Sequence, residues 1–530
     1  MKEIFHPHYL YVTRGRGWEL SMEYIVTAQE MKKYDSNTTD YFKIPPLVLM
    51  ERAALCVVEE MVGLTGNRLQ GKNILVLAGS GNNGGDGFAI ARLLKQKDAK
   101  VELVFFGKKE MCTEQTRQQM QICEKYKVPM TDRIGNHEYD IMIDALFGIG
   151  LNRIIEGNYA DMIRKMNEMD AFRIAIDIPS GVHADDGTIL GEAVKADLTV
   201  TFGFQKRGHI FYPGTEYCGK VVCRDIGITQ ESLLGEKPLM YSYQTDDIER
   251  MPKRNPAGNK GSFGKVLLIA GSKNMSGACV LAGLSAYRCG AGLVRIMTSL
   301  ENREIIQKML PEAVLVTYQC ETDVTSQIEW ADCVAIGPGI GTSTTAQKIV
   351  KTVLQNTLQN SKKVVIDADA LNLIASNVFL QKLVKENTQQ NTKIIMTPHM
   401  GEFSRLTGKT IAQLKAYLPE EIKAYADSYK VTLVCKDART ICYDYEEEQY
   451  YINQSGNAGM ATAGAGDVLT GMLAAIFAQK MDVMEAACLG VYLHGLAGDW
   501  AAQQSNQYSV MAHDIAEAIP NILHANKNRK

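Results

Sequence analysis

Asn73-Ile-Leu-Val-Leu-Ala-Gly-Ser-Gly-Asn-Asn-Gly-Gly-Asp-Gly-Phe-Ala-Ile-Ala-Arg-Leu-Leu94 decides the fold. An apolar run, 73–78, ends in a loop rich in glycine, asparagine and aspartate, 79–87, which opens a helical pattern from Phe88. Glycine lets a backbone approach a ligand closely, and a helix start offers free N–H groups to an anion. Asn and Asp oxygens are hard donors suited to an alkali or alkaline-earth cation. One loop therefore has the chemistry for a phosphate-bearing ligand and a metal ion. A plain glycine turn is the competing reading. The position between strand and helix, where open α/β sheets bind ligands, favours function.

The same alternation extends along the chain. Apolar runs at Ile74–Ala78, Val101–Phe106, Ile141–Leu146, Ile174–Ile178 and Leu198–Phe202 predict strands. Helical patterns intervene at Met111–Tyr126 and Tyr159–Met169, and a strand at 219–225 closes the first half. Residues 229–260 read as a polar connector. The logic restarts at Phe263–Ser272 and recurs at 333–341, 364–370, 394–399 and 431–436, followed by a hairpin, 440–445 with 449–453. Ala461–Ala478 predicts a buried helix interrupted by Gly471. Strands alternating with helices imply mainly parallel sheets with helices on both faces.

Bulk properties narrow the function classes. Of 530 residues, 57 are basic and 60 acidic, a net −3, which gives no electrostatic case for nucleic acid or an anionic membrane. No apolar run reaches the roughly 20 residues needed to span a bilayer. The start lacks the apolar core of a secretion signal. Twelve cysteines without a Cys-x-x-Cys pair read as reduced packing residues of a cytoplasmic protein. Residues 1–21 show little periodicity and read as an extension.

In the first half, three strand ends carry polar groups. Asp144 begins Asp-Ala-Leu-Phe-Gly-Ile-Gly-Leu, and Asp177 and Ser180 lie in Asp-Ile-Pro-Ser-Gly. In a parallel sheet these ends converge on one edge, so Asn83, Asp144 and Ser180 are candidates to share a cation and Asp177 to move a proton. Taken singly, each has a plain role as a helix cap or turn brace. Together with Gly-Asn-Asn-Gly-Gly-Asp-Gly, these motifs closely resemble the YjeF N-terminal family of NAD(P)H-hydrate epimerases, over roughly residues 22–235. The resemblance implies contact with the hydrated dinucleotide by Asn82, Asn83, Gly84, Gly85 and Asp86. It implies the same for Gly148, Ile149, Gly150, Leu151, Asn152, Arg153, Ile154, Tyr159 and Asp177. It also implies K+ held by Asn83, Asp144 and Ser180.

In the second half, Ala463-Gly-Ala-Gly-Asp467 opens a helix whose N–H groups suit a transferred phosphoryl group, with Asp467 as base for the attacking hydroxyl. Lys436-Asp-Ala-Arg-Thr440 follows a strand and offers cations for nucleotide phosphates. Phe263–Ser272, Gly290-Ala-Gly-Leu-Val294, Asp367-Ala-Asp-Ala-Leu371 and Thr397-Pro-His-Met-Gly-Glu402 complete a pattern similar to the ribokinase-like family. The closer resemblance, over about 241–526, is to its ADP-dependent NAD(P)H-hydrate dehydratase branch. It implies hydrate contacts by Ala291, Gly341, His399 and Asp467. It also implies adenine-nucleotide contacts by Lys436, Asp437, Ala438, Arg439, Thr440 and Gly466. Asp437 stands where that family usually has glycine, and its charge is expected to oppose phosphate.

The fold class that follows is α/β in two domains. Residues 22–235 form a Rossmann-like three-layer αβα domain and residues 241–526 a ribokinase-like three-layer αβα domain. The implied function is repair of hydrated NADH and NADPH, by epimerisation and then ADP-driven dehydration of one epimer. The expected cofactors are K+ in the first half and Mg2+ in the second, with ADP as co-substrate. The expected partners are small molecules, and the expected assembly is a homo-oligomer, a tetramer or higher. Two other readings stand beside this one: a small-molecule kinase for the second half, and a non-catalytic binding module for the first.

Overall fold

The computed structural model describes residues 23–66, 68–135, 137–318, 321–360, 362–389 and 392–525. The expected extension, 1–21, lies outside them.

The first half is built on seven parallel strands. Across the sheet they run Met130–Thr131, Lys100–Phe105, Asn73–Ala78, Ile141–Ala145, Phe172–Ile176, Leu198–Phe202 and Lys220–Arg224. The central strands are continuous apolar runs because helices cover both faces of a parallel sheet. The order reverses between Asn73–Ala78 and Ile141–Ala145, which are hydrogen-bonded neighbours. A crevice at such a reversal, beyond the carboxyl ends of the strands, is where open α/β sheets take ligands. The loop 79–87 and the segment 146–154 leave the sheet at that point.

The second half has parallel strands in the order Val314–Thr317, Leu293–Thr298, Lys265–Ile269, Cys333–Ile336, Lys363–Ile366, Ile394–Met396 and Thr432–Cys435. The hairpin Ile441–Asp444 and Gln449–Ile452 extends it antiparallel. Helix Ala465–Ala478 runs unbroken through Gly471, contrary to the expected interruption. A Cβ at Gly471 would lie 2.0 Å from the Ala282 carbonyl oxygen, so the glycine allows helix Ser276–Arg288 to pack closely.

The boundary between the halves is not the polar connector expected from the sequence. Met240–Ser242 is a fully buried strand that pairs with Gln449–Ile452. Glu23–Val26 pairs antiparallel with it, and Gln205–Lys206 pairs with Glu23–Val26. Short strands from the first half therefore finish the second sheet, which reaches 12 strands. Tyr241 and Tyr243 seal the seam against Tyr451, with ring centroids 5.7 and 4.9 Å apart.

Candidate functional site

In the first half, polar groups gather around the backbone of Phe147. Asp144, at the end of Ile141–Ala145, is fully buried. Its Oδ1 accepts from Ser180 Oγ at 2.6 Å and its Oδ2 from the Ser180 N–H at 2.7 Å. The Phe147 N–H donates to Ser180 Oγ at 2.9 Å, and Asn83 Nδ2 donates to the Phe147 carbonyl at 3.0 Å. Asn83 Oδ1 is buried and accepts nothing. Burial pushes the Asp144 carboxyl up to about 6, against the hydrogen bonds from Ser180 and Leu146. An orphaned amide oxygen beside a buried carboxylate is a donor set that fits a hard cation such as K+.

The glycines of loop 79–87 serve the protein before they serve a ligand. A Cβ at Gly79 would lie 2.1 Å from the Leu146 oxygen, and one at Gly84 1.9 Å from the Gly79 oxygen. Only Gly81, the cap of helix Asn82–Lys95, faces open space among these three. Close approach of loop to loop, not of loop to ligand, explains Gly79 and Gly84. Gly85 is likewise crowded, by Met50. Asn82 is exposed at the helix start, and Asp86 sits one turn further in. Burial, with Asp177 and Asp35 adding, pushes the Asp86 carboxyl well up.

The segment 148–154 forms the opposite wall. Gly148 packs on Asn83, Leu151 is buried, and Gly150, Asn152, Arg153 and Ile154 are exposed, with Ile149 half-buried. Phe147, Leu151, Arg153, Ile154 and Tyr159 line one pocket. Tyr159 is fixed by its hydroxyl, which donates to the Phe106 carbonyl at 2.8 Å.

Asp177 follows strand Phe172–Ile176 and adopts φ +65°, a left-handed backbone rare outside glycine. Its Oδ1 accepts from Lys206 Nζ at 2.5 Å and Thr201 Oγ1 at 2.9 Å. Burial pushes the Asp177 carboxyl up, but the Lys206 ammonium and the hydrogen bonds outweigh it, and the group ends below its ordinary value. Lys206, Thr201 and His209 escaped sequence reading. The available signal was a lysine two residues beyond an apolar strand and its Gly-Phe turn.

In the second half, Asp367, His399 and Lys436 stand just beyond three adjacent strand ends. Lys436 Nζ donates to Asp367 Oδ1 at 2.7 Å, and Thr470 Oγ1 to Asp367 Oδ2 at 2.6 Å. Asp467 lies in the first turn of helix Ala465–Ala478. Burial pushes its carboxyl up to about 7, with Asp367 and Asp369 adding and Lys436 opposing. The Gly341 N–H donates to Asp369 Oδ2 at 2.8 Å. Gly466 lies against the Lys436 ammonium, where a Cβ would be 3.4 Å from Nζ. His399 caps helix Met400–Thr407, its Nδ1 accepting from the Gly401 N–H at 3.0 Å. Burial, Lys436 and Arg405 hold its pKa below the ordinary value. Thus Gly341, His399, Lys436, Gly466 and Asp467 share one edge. Asp367, Asp369 and Thr470 are additions to the sequence-based site.

Ala291 departs from expectation. It precedes strand Leu293–Thr298, at the amino edge of the sheet, where Gln479 Nε2 bonds the Cys289 carbonyl. Helix Ala465–Ala478 separates Gln479 from Asp467, a span of about 20 Å at the helical rise. Within one chain Ala291 does not reach the Asp467 cluster. Asp437, expected to oppose phosphate, pairs its carboxylate with Lys415 at 2.9 Å. Ala438 is exposed, Thr440 is half-buried, and Arg439 donates to the Gln454 carbonyl at 3.2 Å. The Arg439 guanidinium also lies 5.9 Å from the ring of Tyr212, a residue of the first half.

Among the described residues, no helix is long and apolar enough to cross a membrane. Comparison with known families matches residues 46–208 to the YjeF-related protein N-terminus and 266–521 to NAD(P)H-hydrate dehydratase. The bifunctional NAD(P)H-hydrate repair enzyme Nnr of Moorella thermoacetica is 34% identical, covering 94% of this chain and 96% of its own. The enzyme of the same name from Escherichia coli K12 is 31% identical over 85% and 84% of the two chains. Among solved structures, the ADP/ATP-dependent NAD(P)H-hydrate dehydratase of Bacillus subtilis, co-crystallised with ATP and Mg2+, is 29% identical. It covers 53% of this chain and 97% of its own, with a TM-score of 0.48.

Proposed function

The chain belongs to the family of bifunctional NAD(P)H-hydrate repair enzymes, and on that premise we propose that its two halves act in sequence on one damaged cofactor. The first half interconverts the two epimers of hydrated NADH or NADPH at the hydroxyl-bearing ring carbon. The second dehydrates one epimer, taking a phosphoryl group from ADP and releasing AMP, phosphate and NAD(P)H.

In the first half the reacting carbon is a hemiaminal, bonded to both the hydroxyl and the ring nitrogen. Its configuration is lost when either bond breaks and reforms. Ring opening begins with removal of the hydroxyl proton, and Asp177 supplies the acceptor as a carboxylate. The start of helix Asn82–Lys95 offers N–H groups to the dinucleotide phosphates. Asn83, Asp144 and Ser180 would hold K+, whose charge would brace the two loops that meet at Phe147.

In the second half Asp467 takes the hydroxyl proton as the oxygen attacks phosphorus, and the helix start at Ala465 steadies the phosphoryl charge. Departure of phosphate, driven by the ring nitrogen lone pair, and loss of the neighbouring proton restore the ring double bond. Lys436 to Thr440 and Gly466 contact the nucleotide. Among the described residues no group of three His, Cys, Asp or Glu side chains is set to hold a metal. Mg2+ would be carried on the diphosphate of the nucleotide substrate, where it would offset the phosphate charge.

The observation that carries this reading is Asp467: a base poised near neutral pH in the first turn of a helix, near the half-buried Lys436. The test is incubation of the full chain with both hydrate epimers and ADP or ATP, following recovery of dihydronicotinamide absorbance. Full recovery of both epimers is expected. Recovery of half would leave only the dehydrating step, and a stable phosphorylated vitamin precursor with no hydrate turnover would replace the reading by a small-molecule kinase. A homo-oligomer, which would let a neighbouring chain bring its amino-edge Ala291 to this site, is tested by light scattering.

A further inference from the structure

Lys206 is a lysine without solvent, 0% exposed, on the strand Gln205–Lys206 that pairs with Glu23–Val26. Its ammonium donates to Asp177 Oδ1 at 2.5 Å, Thr201 Oγ1 at 2.8 Å and the Phe202 carbonyl at 3.1 Å. All three ammonium protons are engaged, so none is left for a substrate. Thr201 also donates to Asp177 Oδ1. With Lys206 and Thr201 both on Oδ1, Oδ2 is the oxygen left for a substrate, on a side chain still 15% exposed.

A second tie sets the backbone. The Lys206 N–H donates to His209 Nδ1 at 3.1 Å, which makes Nε2 the protonated nitrogen, and Nε2 donates to the Asp177 carbonyl at 2.9 Å. Burial and Lys206 push His209 down to about 4, so it stays neutral in this role. The left-handed φ of Asp177 is held from the same segment that holds its charge.

We propose that Lys206 is the positioning residue of the epimerising half, assisted by His209: it leaves Asp177 Oδ2 as the single oxygen aimed at the substrate hydroxyl. This rests on the reading that this half epimerises. The groups facing Asp177 are Lys206, His209, Asp86 and Asp35. Oδ2 takes the hydroxyl proton, a C=O forms at the ring carbon, and the bond from that carbon to the ring nitrogen breaks. The nitrogen receives that electron pair and the proton just taken by Asp177 Oδ2, leaving Asp177 a carboxylate again. Rotation and reversal of the same transfers close the ring on the other face, returning the proton to the hydroxyl.

The test is K206M in the full chain, with epimer exchange followed by chromatography in the absence of nucleotide. Dehydration of the single reactive epimer reports folding. The expected result is a kcat for exchange lower by about 10²-fold, the size of a general-base effect, with KM within about threefold. Without the cation the Asp177 carboxyl rises, so the acid limb of the pH profile moves up by about one pH unit or more. T201V moves the limb the same way by less, and it serves if K206M fails to fold. A K206M enzyme with the wild-type limb, or at the wild-type rate, overturns the inference. A wild-type chain that never exchanges epimers overturns the underlying reading instead.

Discussion

Asp177 and Asp467 are both aspartates at the carboxyl edge of a parallel sheet, and their surroundings set them apart. Asp177 touches a buried ammonium directly and ends below the ordinary carboxyl range. Asp467 has a lysine close by that is only partly buried, and that lysine, Lys436, is bonded to Asp367. The cation that lowers Asp467 is thus shared with a second carboxylate, and burial first, with Asp367 and Asp369 adding, pushes Asp467 up to about 7. The same pair of residue types gives a base held below the ordinary carboxyl range in one half and a base that switches on near neutrality in the other. A hemiaminal that opens reversibly needs a standing acceptor. A hydroxyl attacking phosphorus needs a group that takes a proton and then gives it up, for which a pKa near the working pH is best.

The sharpest way to break this contrast is D467N. Dehydration should fall by about 10³-fold or more, within the range for loss of a positioned base, as read by absorbance recovery. A fall under tenfold would show that Asp467 is not the acceptor. Next in size is K436M, which leaves Asp367 buried beside no cation. Chemical denaturation should show a loss of about 3–5 kcal/mol, with the dehydration limb displaced to higher pH. Retained stability would mean that Thr470 alone satisfies Asp367.

The pH profiles of the wild-type chain test the contrast without mutation. Dehydration should rise roughly tenfold per pH unit below about 7 and then level off, while the acid limb of epimer exchange lies at lower pH than the dehydration limb. The same raised group acts on stability with a definite sign. The folded chain keeps a proton on Asp467 that the unfolded chain releases near pH 4, so this residue's contribution to stability falls as pH rises from about 4 to about 7. The smallest effect belongs to D437A. Its ion pair with Lys415 is partly exposed, so the change in nucleotide affinity should stay within about 1 kcal/mol by calorimetry. A large gain would restore the idea that Asp437 repels phosphate.

The parallel strands were readable because burial on both faces writes them as unbroken apolar runs, as in Asn73–Ala78 and Cys333–Ile336. Glu23–Val26, Met240–Ser242 and Gln205–Lys206 were not, because strands of 2 to 4 residues owe their existence to partners far off in sequence. The site divides the same way. Asn83, Asp144, Asp177 and Ser180 sit in motifs at strand ends, whereas Lys206 meets Asp177 across 29 residues and has no motif of its own. Gly79 and Gly84 were legible as necessary, but the neighbour that requires them, the backbone itself, emerges only once loop meets loop.

The strands borrowed across the seam also bear on how such a gene can be cut. Cleavage near residue 236 would leave Glu23–Val26 with one bare flank on the first product and Met240–Ser242 with the matching bare flank on the second. Unpaired strand edges recruit other chains. The fused protein thereby carries its own edge protection, and either piece expressed alone would need a substitute for it or would aggregate.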